Sequence, residues 1–401
     1  MQKRYLITIA AVGTAGVLAL AACSSSKSSD SGGGGLGGGG SSSAAGGGGN
    51  YKIGFIGPLS GDNAQLGINE YNAFVLAVDE ANQKNTFGFK VTAVKSDDVG
   101  DASKAPAAAT TLQQDPAILG VIGPAFSGPT KAVGASYDAA HLVLISGSAT
   151  NPTLTSLGFK SFHRVVAPDS LEGKEAADWL AKKSPKSVFV VDDLTDYGKG
   201  AADAVEAELK AKGVSVTRQG VAQKTTDYSV ISQKVKASGA GALFYGGYDT
   251  QAALFAKGLK TAGYTGITMA GNGGKSSKFT EGSGAAGDGW YFSCGCLDAT
   301  VAPQAKAFND AYSKRWNTPP STYSPEAYDA TNAMLTAIKA AASSGAPTRQ
   351  SVWDAVNKLD YKGITTEIKF QPNGEVEAQV INLYQQKAGK ILLVGNITSA
   401  S

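Results

Sequence analysis

From Tyr51 onward, short apolar runs alternate with stretches whose apolar residues recur every three or four positions. Ile53-Gly54-Phe55-Ile56 within 52–57 is continuous in apolar character, as a strand covered on both faces requires. Tyr71, Phe74, Val75, Val78 and Ala81 then fall at helical spacing. The same reading predicts strands over 90–95, 118–122 and 142–145, with helices over 102–114 and 129–140 between them. After Phe162-His163-Arg164-Val165-Val166 the pattern restarts. It predicts helices over 171–182 and 198–212, strands over 187–191, 215–221, 242–245 and 267–270, and further helices between those strands. Helices over 304–316 and 326–342 come late, and a hairpin of 380–385 and 391–394, turning near Gly389, ends the chain. Such alternation indicates parallel sheets with helices on both faces. The expected fold class is α/β, with two doubly wound Rossmann-like lobes and a ligand cleft between them. The first lobe is expected to take 51–168 plus 299–374, and the second 169–298 plus 375–401. Crossovers near 165–170, 296–302 and 374–380 would act as hinges.

The start of the chain breaks this pattern. Lys3 and Arg4 precede an apolar run over 5–20, and Leu20-Ala21-Ala22 brings small residues up to Cys23. A basic start, an apolar centre and a small-residue cleavage site make an export signal. With a cysteine at the cleavage point it resembles a bacterial lipoprotein signal, so 1–22 would be removed and Cys23 lipidated. The following residues to Asn50 are almost entirely Ser, Gly and Ala. Such a segment buries too little apolar surface to offset its ordering entropy, so 23–50 reads as a tether. At about 5–6 Å × √n, its root-mean-square reach is roughly 30 Å. The body is expected outside the cytoplasm, held to the bacterial cell membrane.

Charge narrows the partners. The chain carries 36 Lys and Arg against 33 Asp and Glu. Nothing in this balance attracts nucleic acid or anionic lipid. Beyond Cys23 the only cysteines are Cys294 and Cys296, one residue apart, and the only histidines are His141 and His163. The cysteines are expected to form a local disulfide or remain quiet thiols, since a zinc site needs more ligands. No metal and no cofactor is expected, and the body is expected to be monomeric.

In open α/β sheets, ligands bind beyond the carboxyl ends of the strands. The third strand ends in Gly123-Pro124-Ala125-Phe126-Ser127, where a hydroxyl and free amides at a helix start suit a carboxylate. Ser127 could equally cap its own helix. A second hydroxyl-rich loop, Ser146-Gly147-Ser148-Ala149-Thr150-Asn151-Pro152, ends the fourth strand. In the second half, Tyr197 and Tyr248 follow strands. Hydroxyls facing phenols would suit a small polar ligand with an apolar body.

The order of these pieces resembles the type I periplasmic binding proteins that serve ABC importers, in the leucine/isoleucine/valine-binding branch. The resemblance rests on 53–61 (Ile-Gly-Phe-Ile-Gly-Pro-Leu-Ser-Gly), Ser96-Asp97-Asp98, Val121-Ile122-Gly123, Ser148 to Pro152, Asp196-Tyr197-Gly198 and Tyr245-Gly246-Gly247-Tyr248. It implies that Ser127, Ser148, Ala149 and Thr150 hold an amino-acid carboxylate, with Tyr197, Tyr248 and Tyr323 around the ligand. Two positions depart from the family pattern. Leu66 stands where a tyrosine is usual, and Asn272 where a glutamate meets the ammonium. Asp249 and Glu326 are the expected substitutes for that acid; alternatively the ligand is a neutral amide or urea, which would suit Asn272. The resemblance implies an amino-acid receptor, branched-chain or otherwise hydrophobic, that closes on its ligand and delivers it to ABC permease subunits. A component presenting ligand to a separate sensor is the other reading. An enzyme is not expected: there is no Gly-x-Ser-x-Gly, His-Glu-x-x-His or phosphate-loop motif. His141 and His163 read as structural, and Asp97-Asp98 and Asp192-Asp193 as caps on the helices that follow.

Overall fold

The computed structural model describes residues 49–400; the expected export signal, Cys23 and the expected tether as far as 48 lie outside the described residues. The first lobe opens with β1 (Asn50–Gly57), α1 (Ala64–Lys84), β2 (Lys90–Asp97), α2 (Ala105–Gln113), β3 (Ile118–Ile122), α3 (Ser127–Ala139), β4 (Leu144–Ser146) and β5 (Phe162–Arg164). The second runs through α4 (Asp169–Lys182), β6 (Ser187–Asp192), α5 (Asp196–Ala211), β7 (Ser215–Gly220), α6 (Ser229–Ser238), β8 (Ala242–Gly246), α7 (Asp249–Ala262), β9 (Ile267–Ala270), α8 (Ser277–Ser283) and β10 (Tyr291–Cys294). The chain then returns for α9 (Lys306–Trp316), α10 (Ser324–Ala342), α11 (Arg349–Val356), β11 (Tyr361–Lys362) and β12 (Glu367–Ile368). It ends on β13 (Asn382–Lys387) and β14 (Lys390–Asn396).

The first sheet has five strands in the order β2-β1-β3-β4-β5, all pairings parallel. In β1, Ile53 and Phe55 pack with Phe74 of α1 and Met334 of α10, whereas Ile56 packs with Ala109 of α2 and Val133 of α3. The two-residue period of the strand thus loads both faces, which accounts for the unbroken apolar run. Seven strands make the second sheet, in the order β14-β13-β10-β9-β8-β6-β7. Its last two strands are antiparallel additions: β10 pairs with β13, and β13 with β14.

Several element ends differ from the sequence expectation. Helix α3 starts at Ser127, before Pro129; a proline in the first turn costs nothing, since its missing N–H would have no partner there. Helix α2 starts at Ala105, and Pro106 sets that start. Strand β4 begins at Leu144, because the Leu142 amide still closes the turn after α3 on the Tyr137 carbonyl. Strands β5 and β10, the β11–β12 pair and the short, Thr348-capped α11 had no distinct periodic signal. The paired aspartates do not cap helices; they brace the loops behind their own strands, as when Asp97 accepts from the Leu59 and Val99 amides. His163 is buried between the Ser161 carbonyl and Asn357, a structural position. Cys294 and Cys296 form a disulfide with their Cα atoms 5.1 Å apart.

Candidate functional site

Every candidate loop lies at the carboxyl end of a parallel strand. Loops after β3 and β4 bring Ser127 and Ser148 to Thr150 from the first lobe; those after β6, β8 and β9 bring Tyr197, Tyr248 and Asn272 from the second. Backbone constraints fix the first-lobe half. Gly123 has φ +104°, and a β-carbon there would meet the Ile56 carbonyl oxygen at 2.2 Å, so only glycine turns the chain from β3 towards Ser127. Ser127 Oγ accepts the Asn151 N–H at 3.2 Å, tying the two loops together. Ser146 Oγ donates to the Pro124 carbonyl at 2.7 Å and accepts the Ser148 and Ala149 amides at 3.3 and 3.0 Å. Below them the buried Arg164 guanidinium donates to the Ala149 and Asn151 carbonyls and forks onto Glu375. That cation is fully engaged in holding the loop.

The two faces meet. Phe126 stacks on Tyr248 at 4.3 Å between centroids, and Tyr248 lies 5.1 Å from Tyr197. Leu66, Ala125, Phe126 and Tyr323 of the first lobe share one apolar cluster with Tyr197 and Tyr248. Ser127, Ser148, Thr150, Tyr197, Tyr248, Asn272 and Tyr323 are each no more than 6% exposed. The lobes are closed, and Lys131 with Asp196 (2.7 Å) and Asn63 with Asp249 (2.8 Å) bridge them further out.

The second-lobe half holds a feature that sequence reasoning missed. Asp169 and Glu172 open α4 at a spacing of three residues, which puts both on one helix face. Both are buried, at 1% and 3% exposure. Glu172 accepts the Asn272 backbone N–H at 2.9 Å, the Asn272 side-chain N–H at 2.8 Å and the Ser293 hydroxyl at 2.9 Å. The second side-chain N–H of Asn272 points towards Asp169 at 3.4 Å, and its oxygen accepts the Tyr323 hydroxyl from across the cleft. Tyr197 accepts the Gly273 N–H through its phenolic oxygen at 2.8 Å. Tyr323 holds this position with φ +69°, a left-handed conformation costing roughly 1–2 kcal/mol for a residue with a β-carbon. Burial raises the carboxyl of Asp169, and burial plus the neighbouring Asp169 raises that of Glu172. Asp169 Oδ2 is buried without a close protein hydrogen-bond partner, and the buried Thr150 hydroxyl faces that carboxylate and opposes the rise of its pKa.

The acids expected from sequence to meet an ammonium are used elsewhere. Asp249 accepts from Asn63, Ser276 and the Thr250 amide, and so serves the bridge between lobes. Glu326 accepts the Leu297 N–H at 2.7 Å, beside the crossover after β10. Asn272 is a bracket between the acid pair and Tyr323, with its amide fully committed. Ser148 turns its hydroxyl away from the cleft, towards Glu70 and the Ala125 carbonyl. The signal for Asp169 and Glu172 was the Asp-x-x-Glu spacing, but acids in a first helical turn are ordinarily explained by the helix dipole.

Two α/β lobes closed over a buried polar cluster define a two-lobed ligand-binding protein. A family model described as periplasmic binding protein matches residues 50–390, and the chain belongs to that family, in its Leu/Ile/Val-binding branch. Among its relatives, the Leu/Ile/Val-binding protein BraC3 of Rhizobium johnstonii is 31% identical over 347 residues, spanning 85% of this chain and 92% of that protein. The leucine-, isoleucine-, valine-, threonine-, and alanine-binding protein of Pseudomonas aeruginosa is 25% identical over 343 residues, 83% of this chain and 89% of that one. The structure of the branched-chain amino acid transporter substrate binding protein LivJ from Streptococcus pneumoniae, in complex with isoleucine, superposes with a TM-score of 0.78. It is 27% identical and covers 86% of this chain and 99% of that chain. Membership implies an extracytoplasmic body, and among the described residues no helix is long and apolar enough to cross a membrane.

Proposed function

We propose that this protein captures a hydrophobic α-amino acid by lobe closure and hands it to the permease of an ABC importer, held at the membrane through lipidated Cys23. The observation that carries this reading is the buried Asp169–Glu172 pair facing Thr150, in a loop that Ser127 ties to its neighbour. A ligand with an ammonium at one end and a carboxylate at the other satisfies both sides. The Ser127 hydroxyl and the amides opening α3 would receive the carboxylate. The acid pair would receive the ammonium, replacing the glutamate that the family carries at Asn272. Leu66, Phe126 and the three tyrosines would enclose the apolar side chain. The lobes 51–168 plus 299–374 and 169–298 plus 375–401 would move as two bodies about the crossovers, with ligand favouring the closed form through contacts made only there. A neutral amide gains no support, because the Asn272 amide already has its partners. Binding without chemical conversion fits the substrate-binding relatives.

A thermal-shift panel tests the reading. L-leucine, carrying both charged groups, should raise the melting temperature by mass action, while isovalerate, isoamylamine and acetamide, each lacking one or both, should leave it unchanged. A shift with acetamide or isovalerate and none with any hydrophobic amino acid would overturn it.

A further inference from the structure

The loop after β4 rests on a hydrogen-bond arrangement with one proton too few. Ser148 Oγ lies 2.6 Å from Glu70 Oε1 and 2.6 Å from the Ala125 carbonyl oxygen. Both are hydrogen-bond distances for O–H···O. A serine hydroxyl has a single proton to donate, so an ionised Glu70 and the carbonyl would compete for it, and one pair of oxygens would stand in contact unbridged. Ser146 cannot relieve this, since its own proton goes to the Pro124 carbonyl. A proton on Glu70 completes the chain: Glu70 donates to Ser148, and Ser148 donates to Ala125.

We propose that Glu70 is a positioning residue, a neutral carboxylic acid whose proton fixes Ser148 and thereby clamps the β3 and β4 loops that form the carboxylate half of the site. Glu70 lies on α1, wholly buried, and its Oε2 has no partner. An unpaired carbonyl-like oxygen is far cheaper to bury than an unpaired charge. Among the described residues no cation balances it. Asp98 from the loop after β2 and Glu326 from α10 are the titratable groups facing it, both acids, with the Tyr323 phenol nearby. Burial raises the Glu70 carboxyl from 4.5 to about 8 against the opposing Ser148 hydrogen bond, and the neighbouring acids Glu326 and Asp98 add to the rise. The loop after β4 carries Thr150, and the loop after β3 carries Ser127; linking them from behind sets the spacing of both hydroxyls.

The role in binding rests on the proposed amino-acid function, but the protonation state can be tested without any ligand. The native state holds the Glu70 proton up to about pH 8, whereas the unfolded chain loses it near 4.5. Glu70 therefore withdraws stability as pH rises through that window. Glu70→Gln keeps a donor to Ser148 and carries no charge. Its melting temperature relative to wild type should climb steadily over that window and then level off. Wild type should also show an infrared band of a protonated carboxyl at neutral pH that is absent from Glu70→Gln. Ser148→Ala, which removes the acceptor and leaves the acid, should shift that band, so a poorly folding Gln variant does not end the test. With L-leucine as probe, Glu70→Gln should bind within about threefold of wild type and Glu70→Ala about tenfold or more weaker, on the order of one hydrogen bond's worth. Wild-type affinity should fall above about pH 8, and that fall should vanish in Glu70→Gln. No band lost in Glu70→Gln, or a constant melting deficit at every pH, would overturn the proposal. If leucine fails to bind while band and melting behave as stated, the ligand assignment is at fault and the proton on Glu70 stands.

Discussion

The two faces of the cleft are built by different means. On the first lobe, short loops after β3 and β4 present hydroxyls and amides fixed by backbone: Gly123 forces the turn, Ser146 and Ser148 staple one loop to the other, and Arg164 holds the β4 loop through the Ala149 and Asn151 carbonyls. The second lobe presents ionisable groups, Asp169 and Glu172 on α4, held by the Asn272 amide and screened by tyrosines. A neutral face pre-organised by backbone suits a carboxylate, whose solvation it replaces with fixed dipoles. A charged face is costly to bury alone, so it needs either protons or a cationic ligand group. On the proposed function, docking falls to the first face and charge neutralisation to the second.

The largest effect should come from the charged face. Glu172→Gln keeps the shape and removes a charge; loss of a buried pair costs about 3–5 kcal/mol, so leucine affinity measured by calorimetry should drop by about two to four decades. The sign with pH follows from the raised carboxyls. An acid that must be ionised to hold an ammonium contributes above its pKa and is lost as pH falls through it, so wild-type affinity should decline on acidification. Glu172→Gln should flatten that limb. An unchanged affinity would show that the acid pair does not meet the ligand.

Between the faces stands Tyr323, whose hydroxyl crosses to the Asn272 oxygen. Tyr323→Phe leaves that buried acceptor unpaired in the closed form, worth about 1–3 kcal/mol. The expected result is a faster leucine off-rate in stopped-flow measurements with little change in on-rate, because the contact exists only after closure. Smallest is the neutral face: Thr150→Val removes one of several hydroxyl and amide donors. A loss of about 1 kcal/mol, near fivefold in affinity, is expected there, with the acid limb of the pH profile moved to higher pH, because the Thr150 hydroxyl helps to keep the Asp169 carboxylate ionised. A larger effect than that of Glu172→Gln would invert the assignment of the faces.

The loops of the neutral face were legible because each sits directly after an apolar strand, where position in sequence fixes position in the fold. Ser127, Thr150, Tyr197 and Tyr248 could be picked out this way. The acid of the charged face was not. Asp249 and Glu326 lie as close in sequence to the tyrosines as any candidate, yet one is spent on Asn63 and Ser276 and the other on Leu297. Asp169 and Glu172 begin a helix just past a crossover, where nothing in their own segment distinguishes a solvated first turn from a buried one.

What the chain alone determined is its alternation of strand and helix, its division into two halves and the strand-end loops that face a ligand, because apolar period and glycine placement act locally. Which acids would lose their water, which amide would bracket them and which serine would turn inward depended on how distant segments pack within each lobe and across the cleft. Desolvation is a property of what packs against a group, and at this cleft the covering residues come from segments more than a hundred positions away, as Asn272 does from Asp169.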